Sequence, residues 1–77
     1  MMRKIISLQP AENFLLNVKF DNGAIKIFDV KPYLSLPVFA ALNEEDAFRS
    51  VANKGYFIEW SALEIDLSAD TIWHEGK

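Results

Sequence analysis

The sequence predicts an α+β fold in which a small, mostly antiparallel sheet of four to five strands packs with short helices. Three observations carry that expectation: an Asp21-Asn22-Gly23 turn between alternating apolar runs, a second glycine-marked turn at Asn53-Lys54-Gly55, and a Ser68-capped segment near the end of the chain. With 77 residues, 51% hydrophobic and 13% aromatic, the chain suits one compact domain over residues 1–77 and is too short for two. A core of this size leaves a net stability on the order of 3–5 kcal/mol unless something staples it. Cysteine is absent, which removes disulfides, thiolate catalysis and cysteine-based zinc sites and leaves self-association as the remaining staple.

Taken in order, Lys4 to Leu8 is the expected first strand, ended by Pro10 and the polar Glu12-Asn13 pair. Phe14, Leu16, Val18 and Phe20 then alternate with Leu15, Asn17 and Lys19, and beyond the turn Ile25 and Ile27 alternate with Lys26 and Phe28. Asn-Gly tolerates the two positive φ angles of a type I′ turn, whose twist matches that of the strands it joins. A loop of Asn22-Gly23 sets Phe20 opposite Ile25 and Val18 opposite Ile27, whereas Asp21-Asn22 sets Val18 opposite Ile25 and Leu16 opposite Ile27. Both keep one face apolar. A three-residue loop would set Val18 opposite Lys26, and burial of one face is expected to select against it.

After the hairpin, Asp29-Val30-Lys31-Pro32 leaves the sheet, because proline cannot donate to a ladder and restrains the residue before it. Pro37 suits the first turn of a short helix with Phe39 and Leu42 on one face. Asn43 is the expected cap of a second short turn, whose Glu44, Glu45 and Asp46 favour the positive helix end and whose Phe48 turns inward. At the second glycine turn, a Lys54-Gly55 loop pairs Val51 with Ile58, and a three-residue loop with Gly55 left-handed pairs Arg49 with Glu59. The sequence leaves both open. In either, Tyr56, Ile58 and Trp60 share one face, and Phe57 and Glu59 the other. In the last helix Ser68 is the N-cap, Asp70 lies in the first turn and Gly76 offers a stop.

The formal charge is −3 with a pI near 4.9, and the eight Lys and Arg residues are scattered from Arg3 to Lys77. Phosphate backbones reward clustered cations, so direct nucleic-acid binding is not expected. No window approaches the roughly 18 apolar residues of a membrane span, and Ser7, Gln9 and Pro10 break the only apolar start. A soluble, cytoplasmic chain without a membrane partner is expected.

Four carboxylates, Glu59, Glu64, Asp66 and Asp70, crowd the region around Trp60 and beyond. Asp70 complements the helix dipole, Asp66 serves a turn or alternative cap, Glu59 reaches Arg49 in one register, and Glu64 has no assigned role. His74, the only histidine, falls in the last helical turn, where it is a dipole partner; HEGK lacks the second histidine of a zinc protease. The serines lack a GxSxG context, and the three glycines form no phosphate-cradling loop. No catalytic, cofactor-binding or metal-ligating residues are therefore assigned.

Two functions compete. The first is a non-enzymatic protein-interaction module that binds itself, as a homodimer, or a small protein partner, through sheet edges or an aromatic surface of Tyr33, Tyr56, Trp60 and Trp73. The second is a small hydrolase or metal-dependent enzyme using Glu59, Glu64, Asp66 and His74, which requires all four to meet in one cleft.

VKFDNG (18–23), FDVKPYL (28–34), FAAL, AFRSV, GYFIEW and IDLSADTIW occur in the order and spacing of a small bacterial family catalogued as domain of unknown function 2442, which the chain resembles over almost its whole length. Ala69 stands where that family favours proline, Trp73 where it favours tyrosine, and Ser61-Ala62-Leu63 replaces its usual W-P-x-G type of turn. The resemblance implies an α+β fold like the N-terminal domain of some helix-turn-helix proteins. By analogy it also implies an antitoxin-like or regulatory interaction role, and it supplies no catalytic residues.

Overall fold

A computed structural model describes residues 3–77. The elements are β1 (Ile5–Ala11), β2 (Leu15–Phe20), β3 (Ile25–Asp29), α1 (Glu45–Arg49), β4 (Ala52–Asn53), β5 (Phe57–Trp60), β6 (Ile65–Ser68) and α2 (Ala69–Glu75). Short 3₁₀ turns occupy Glu12–Phe14, Lys31–Tyr33, Pro37–Asn43 and Ser61–Leu63. The fold is α+β and antiparallel, with six strands in two three-stranded sheets, β1-β2-β3 and β4-β5-β6, where one sheet of four to five was expected. The sheets share no ladder and are joined by hydrogen bonds between β1 and the β4 turn. There Ile5 N–H donates to Gly55 O at 2.7 Å, and Asn53 Nδ2 donates to Ile5 O at 3.0 Å.

One core joins both sheets and both helices. Leu16, Val18 and Phe20 of β2 are each 0% exposed, which realises the period-two pattern of that strand. Ile58 and Trp60 of β5, Ile65 and Leu67 of β6, Phe48 of α1 and Ile72 of α2 close over them. The Pro37 turn buries Leu42 and half-buries Phe39, as expected. Ser68 caps α2, its Oγ accepting from Thr71 N at 3.1 Å, with Asp70 in the first turn. No helix among the described residues is long and apolar enough to cross a membrane.

Several local expectations are corrected. β1 continues through Pro10 to Ala11. Phe20 N–H bonds Ala24 O at 2.9 Å, so Leu16 and Val18 direct their backbone groups at β3 while their neighbours serve β1. Pro10, opposite Leu16, therefore turns its nitrogen to the open edge, where no donor is needed. Phe14 stands before β2 rather than in it, with φ 59, following Asn13 at φ 61.

The first hairpin takes the register that burial was expected to reject: Val18 lies opposite Lys26 and Lys19 opposite Ile25. Its loop is Asp21-Asn22-Gly23, with Gly23 at φ 88, Gly23 N–H on Phe20 O at 2.9 Å and Ala24 N–H on Asn22 Oδ1 at 3.0 Å. A left-handed glycine after a tight turn is the three-residue hairpin solution. Lys26 is tolerated on the inward side because its ammonium lies over the Trp73 ring, 4.7 Å from the centroid. Phe28 is consequently buried, while Ile25 and Ile27 are 65% and 46% exposed.

The second turn follows neither expected loop. Ala52 lies opposite Glu59 and Asn53 opposite Ile58, and Lys54 N–H bonds Phe57 O at 2.9 Å, leaving Gly55-Tyr56 as the loop. Asn53 decides this: its Oδ1 accepts from Gly55 N at 2.8 Å while its Nδ2 is held by Ile5 O. Tyr56 thereby leaves the inward face of Ile58 and Trp60, and Arg49 pairs with Glu45 at 3.2 Å instead of with Glu59. Asn43 does not cap α1. Its Nδ2 bonds Leu34 O and Ala40 O, and Glu44 takes the cap position without a side-chain bond.

Candidate functional site

The register of the first hairpin creates the most distinctive surface. Ala24, Lys26 and Phe28 direct their backbone groups at β2, so those of Ile25, Ile27 and Asp29 point away from it, along the outer edge of β3. One of these groups is engaged: Lys77 N–H donates to Ile27 O at 2.9 Å. The chain reaches that point because Gly76 leaves α2 extended, at φ −73 and ψ 158. A Cβ on Gly76 would lie 2.6 Å from Ile72 O and 3.1 Å from Lys26 Cβ, so only glycine permits this close approach.

Beside the edge lies an open groove of about 460 Å³. Leu15, Ile27, Phe28 and Pro32 give it an apolar lining, and Asp29, Tyr33, Glu75 and Lys77 supply its polar groups. The Tyr33 ring stacks on Phe28 at 5.7 Å and tilts against Phe39 at 5.2 Å, and its hydroxyl donates to Glu75 Oε1. Burial, reinforced by that hydrogen bond and by the negative charge of Glu75, pushes the Tyr33 hydroxyl up to about 12. Asp29 moves the other way. Its slight burial opposes ionisation, but the Lys31 N–H, the Lys31 ammonium at 3.0 Å and the charge of Lys77 outweigh it and hold the carboxyl below its ordinary value.

The four aromatics of the expected surface are not equivalent. Tyr33 lines the groove and Tyr56, 47% exposed, sits in the β4–β5 loop. Trp73 is half-buried, edge-on to Phe20 at 5.2 Å, with the Arg3 guanidinium 4.1 Å from its ring centroid. Trp60 is withdrawn from the surface altogether: it is 0% exposed, and its Nε1 donates to Phe48 O at 2.7 Å. Ile25 and Ile27 are the surface residues that sequence reasoning assigned to the core. The signal that would have found them was the full Asp-Asn-Gly triplet, which suits a three-residue loop as well as a two-residue one. Leu36 and Val38, 47% and 68% exposed, add apolar surface on the turn that follows Tyr33.

The acidic residues are spread over β5, β6, α2 and the turn before β6. Glu59 and Asp66 face each other across β5 and β6, Asp70 lies 3.7 Å from Arg3 and 3.6 Å from His74, and Glu64 is left-handed at φ 56 after its 3₁₀ turn. Among the described residues no group of three or more His, Cys, Asp or Glu side chains could hold a metal ion. The convergence that a metal-dependent hydrolase would need from Glu59, Glu64, Asp66 and His74 is missing.

A family model described as "Protein of unknown function (DUF2442)" matches residues 5–77. No curated protein and no solved structure matches the chain.

Proposed function

For a chain that belongs to the DUF2442 family, we propose a non-enzymatic role as a protein-interaction module, associating with a second copy or with a small protein partner. The observation that carries this reading is β3, an edge strand whose Ile25 and Ile27 remain 65% and 46% exposed beside an open apolar groove. Edge strands present unpaired backbone groups as a template for another chain, and natural proteins usually blunt them. β1 is blunted by Pro10 and by its bonding to Gly55, but β3 carries isoleucine where a charge would discourage contact. Protein suits the site better than nucleic acid, because the chain is formally −3 and its groove holds two carboxylates. We assign the work to the cytoplasm, since a cysteine-free chain gains no staple from an oxidising compartment. The antitoxin-like or regulatory role is carried by family analogy alone.

The test compares light-scattering masses of the wild-type chain over a concentration series, and of its complexes recovered from the source cells, with those of Ile25→Thr and Ile27→Asp. A self-complex or stoichiometric hetero-complex lost in both variants, with unchanged circular dichroism, supports the module. A strict monomer without a stoichiometric partner, or association insensitive to both changes, overturns it.

A further inference from the structure

We propose that the β3 edge and its groove receive an extended segment of a partner protein by strand addition, with a basic side chain of that segment set against Glu75. This deepens the interaction-module reading and rests on it.

Two observations choose the occupant. The first is backbone geometry. Gly76 already brings the chain to β3 in extended form, and Lys77 N–H makes one bond to it, on Ile27 O, so the edge is oriented to accept a strand. The outward backbone groups of Ile25 and Asp29 offer further rungs on either side of Ile27, and a segment that takes them all displaces Lys77 from Ile27 O.

The second is charge. Asp29 is held by Lys31 at 3.0 Å, but no Lys, Arg or His among the described residues lies within 4.0 Å of Glu75, whose bond is to the neutral Tyr33 hydroxyl. A cation on the incoming segment would complete that carboxylate while the segment's apolar side chains cover Ile27 and Pro32. Lys77 shows the attraction in miniature, since its charge helps to hold the Asp29 carboxyl ionised.

A second copy of this strand fits less well. Antiparallel self-pairing centred on Ile27 sets Ile25 against the aspartate at 29, and pairing centred on Lys26 sets like charges face to face. A heterologous segment that alternates apolar residues around a Lys or Arg meets neither conflict.

The experiment is a display selection of random nonapeptides on the immobilised full chain, followed by amide hydrogen exchange with the recovered peptides. Expected are peptides that alternate apolar residues and carry a Lys or Arg, that slow exchange at the Ile25 and Asp29 amides, and that bind Glu75→Gln about tenfold more weakly. Tyr33→Phe, which keeps the Glu75 carboxylate, retains the preference for a basic residue. Acidic or proline-rich winners, protection away from β3, binding indifferent to Glu75, or an empty selection each overturn the proposal. Loss of association in Ile27→Asp together with an empty selection leaves the module standing and removes only the strand-addition occupant. Association indifferent to Ile25 and Ile27 removes both.

Discussion

The indole N–H of Trp60 donates to the backbone carbonyl of Phe48 at 2.7 Å, from a side chain that is 0% exposed. This contact ties the end of β5 to α1, and it falls where the two rings also pack, with centroids 6.4 Å apart. Buried tryptophan delivers large apolar area only if its N–H finds an acceptor, and here the last turn of α1 provides one. Trp60→Phe removes volume and strands the Phe48 carbonyl, so we expect a loss of about 2–3 kcal/mol by urea denaturation followed by circular dichroism. A loss below about 0.5 kcal/mol would mean that the bond contributes nothing net.

Ser68 stands where β6 passes into α2, and its Oγ accepts from Thr71 N–H at 3.1 Å. Ser68→Ala is expected to lower stability by about 1 kcal/mol. Ser61→Ala, on an exposed 3₁₀ turn with no side-chain cap bond, should stay within about 0.5 kcal/mol. Parallel urea midpoints of the two variants decide the matter.

Gly23 holds φ at 88, and the space a Cβ would enter is open, with nothing within 4 Å, so a substitution there meets backbone strain but no clash. We expect Gly23→Ala to cost about 1 kcal/mol and Gly23→Asn less, because asparagine visits the left-handed region more readily. Gly76→Ala meets the opposite problem, a contact 2.6 Å from Ile72 O at an ordinary φ. Its mark should be faster amide exchange at Lys77 as the bond to Ile27 O loosens, with the hairpin unaffected.

Tyr33 gives a pH dependence of defined sign. Its hydroxyl is raised from 10.0 to about 12 by burial first and by Glu75 second, so the folded state keeps its proton where the unfolded chain loses it. The stabilisation is present in full below pH 10.0 and is lost as pH climbs towards about 12. Ultraviolet titration should show a tyrosine step near 12 that disappears in Tyr33→Phe and moves down in Glu75→Gln. A step that stays in place in Glu75→Gln would contradict the contribution of Glu75.

Much of the fold was legible because its signals are local. The alternation of Leu16, Val18 and Phe20 marks one face of β2 whatever its neighbours do, Ser68 caps α2 through a residue three positions on, and Pro37 presets the first φ of its turn. The family resemblance was legible for the same reason, as ordered short motifs, and the family match spans residues 5–77. The candidate site was not legible in this way, since Ile25 and Ile27 read as core on apolarity alone.

What the sequence by itself determined, then, is where the chain turns, which residues of β2 and β5 go inward, and where α2 begins. What only the tertiary structure decided is register. One residue of slip exchanges the two faces of a strand, and the free energy that chooses between them comes from distant partners. Trp73 of α2 takes the Lys26 ammonium over its ring, which frees β3 to bury Phe28 and expose Ile25 and Ile27. Asn53 and Gly55 bond to Ile5, 48 positions from Asn53 in sequence, which fixes the second turn and keeps Glu59 from Arg49. Side chains that meet only after folding set both registers, and the exposed edge of β3 is the consequence of the first.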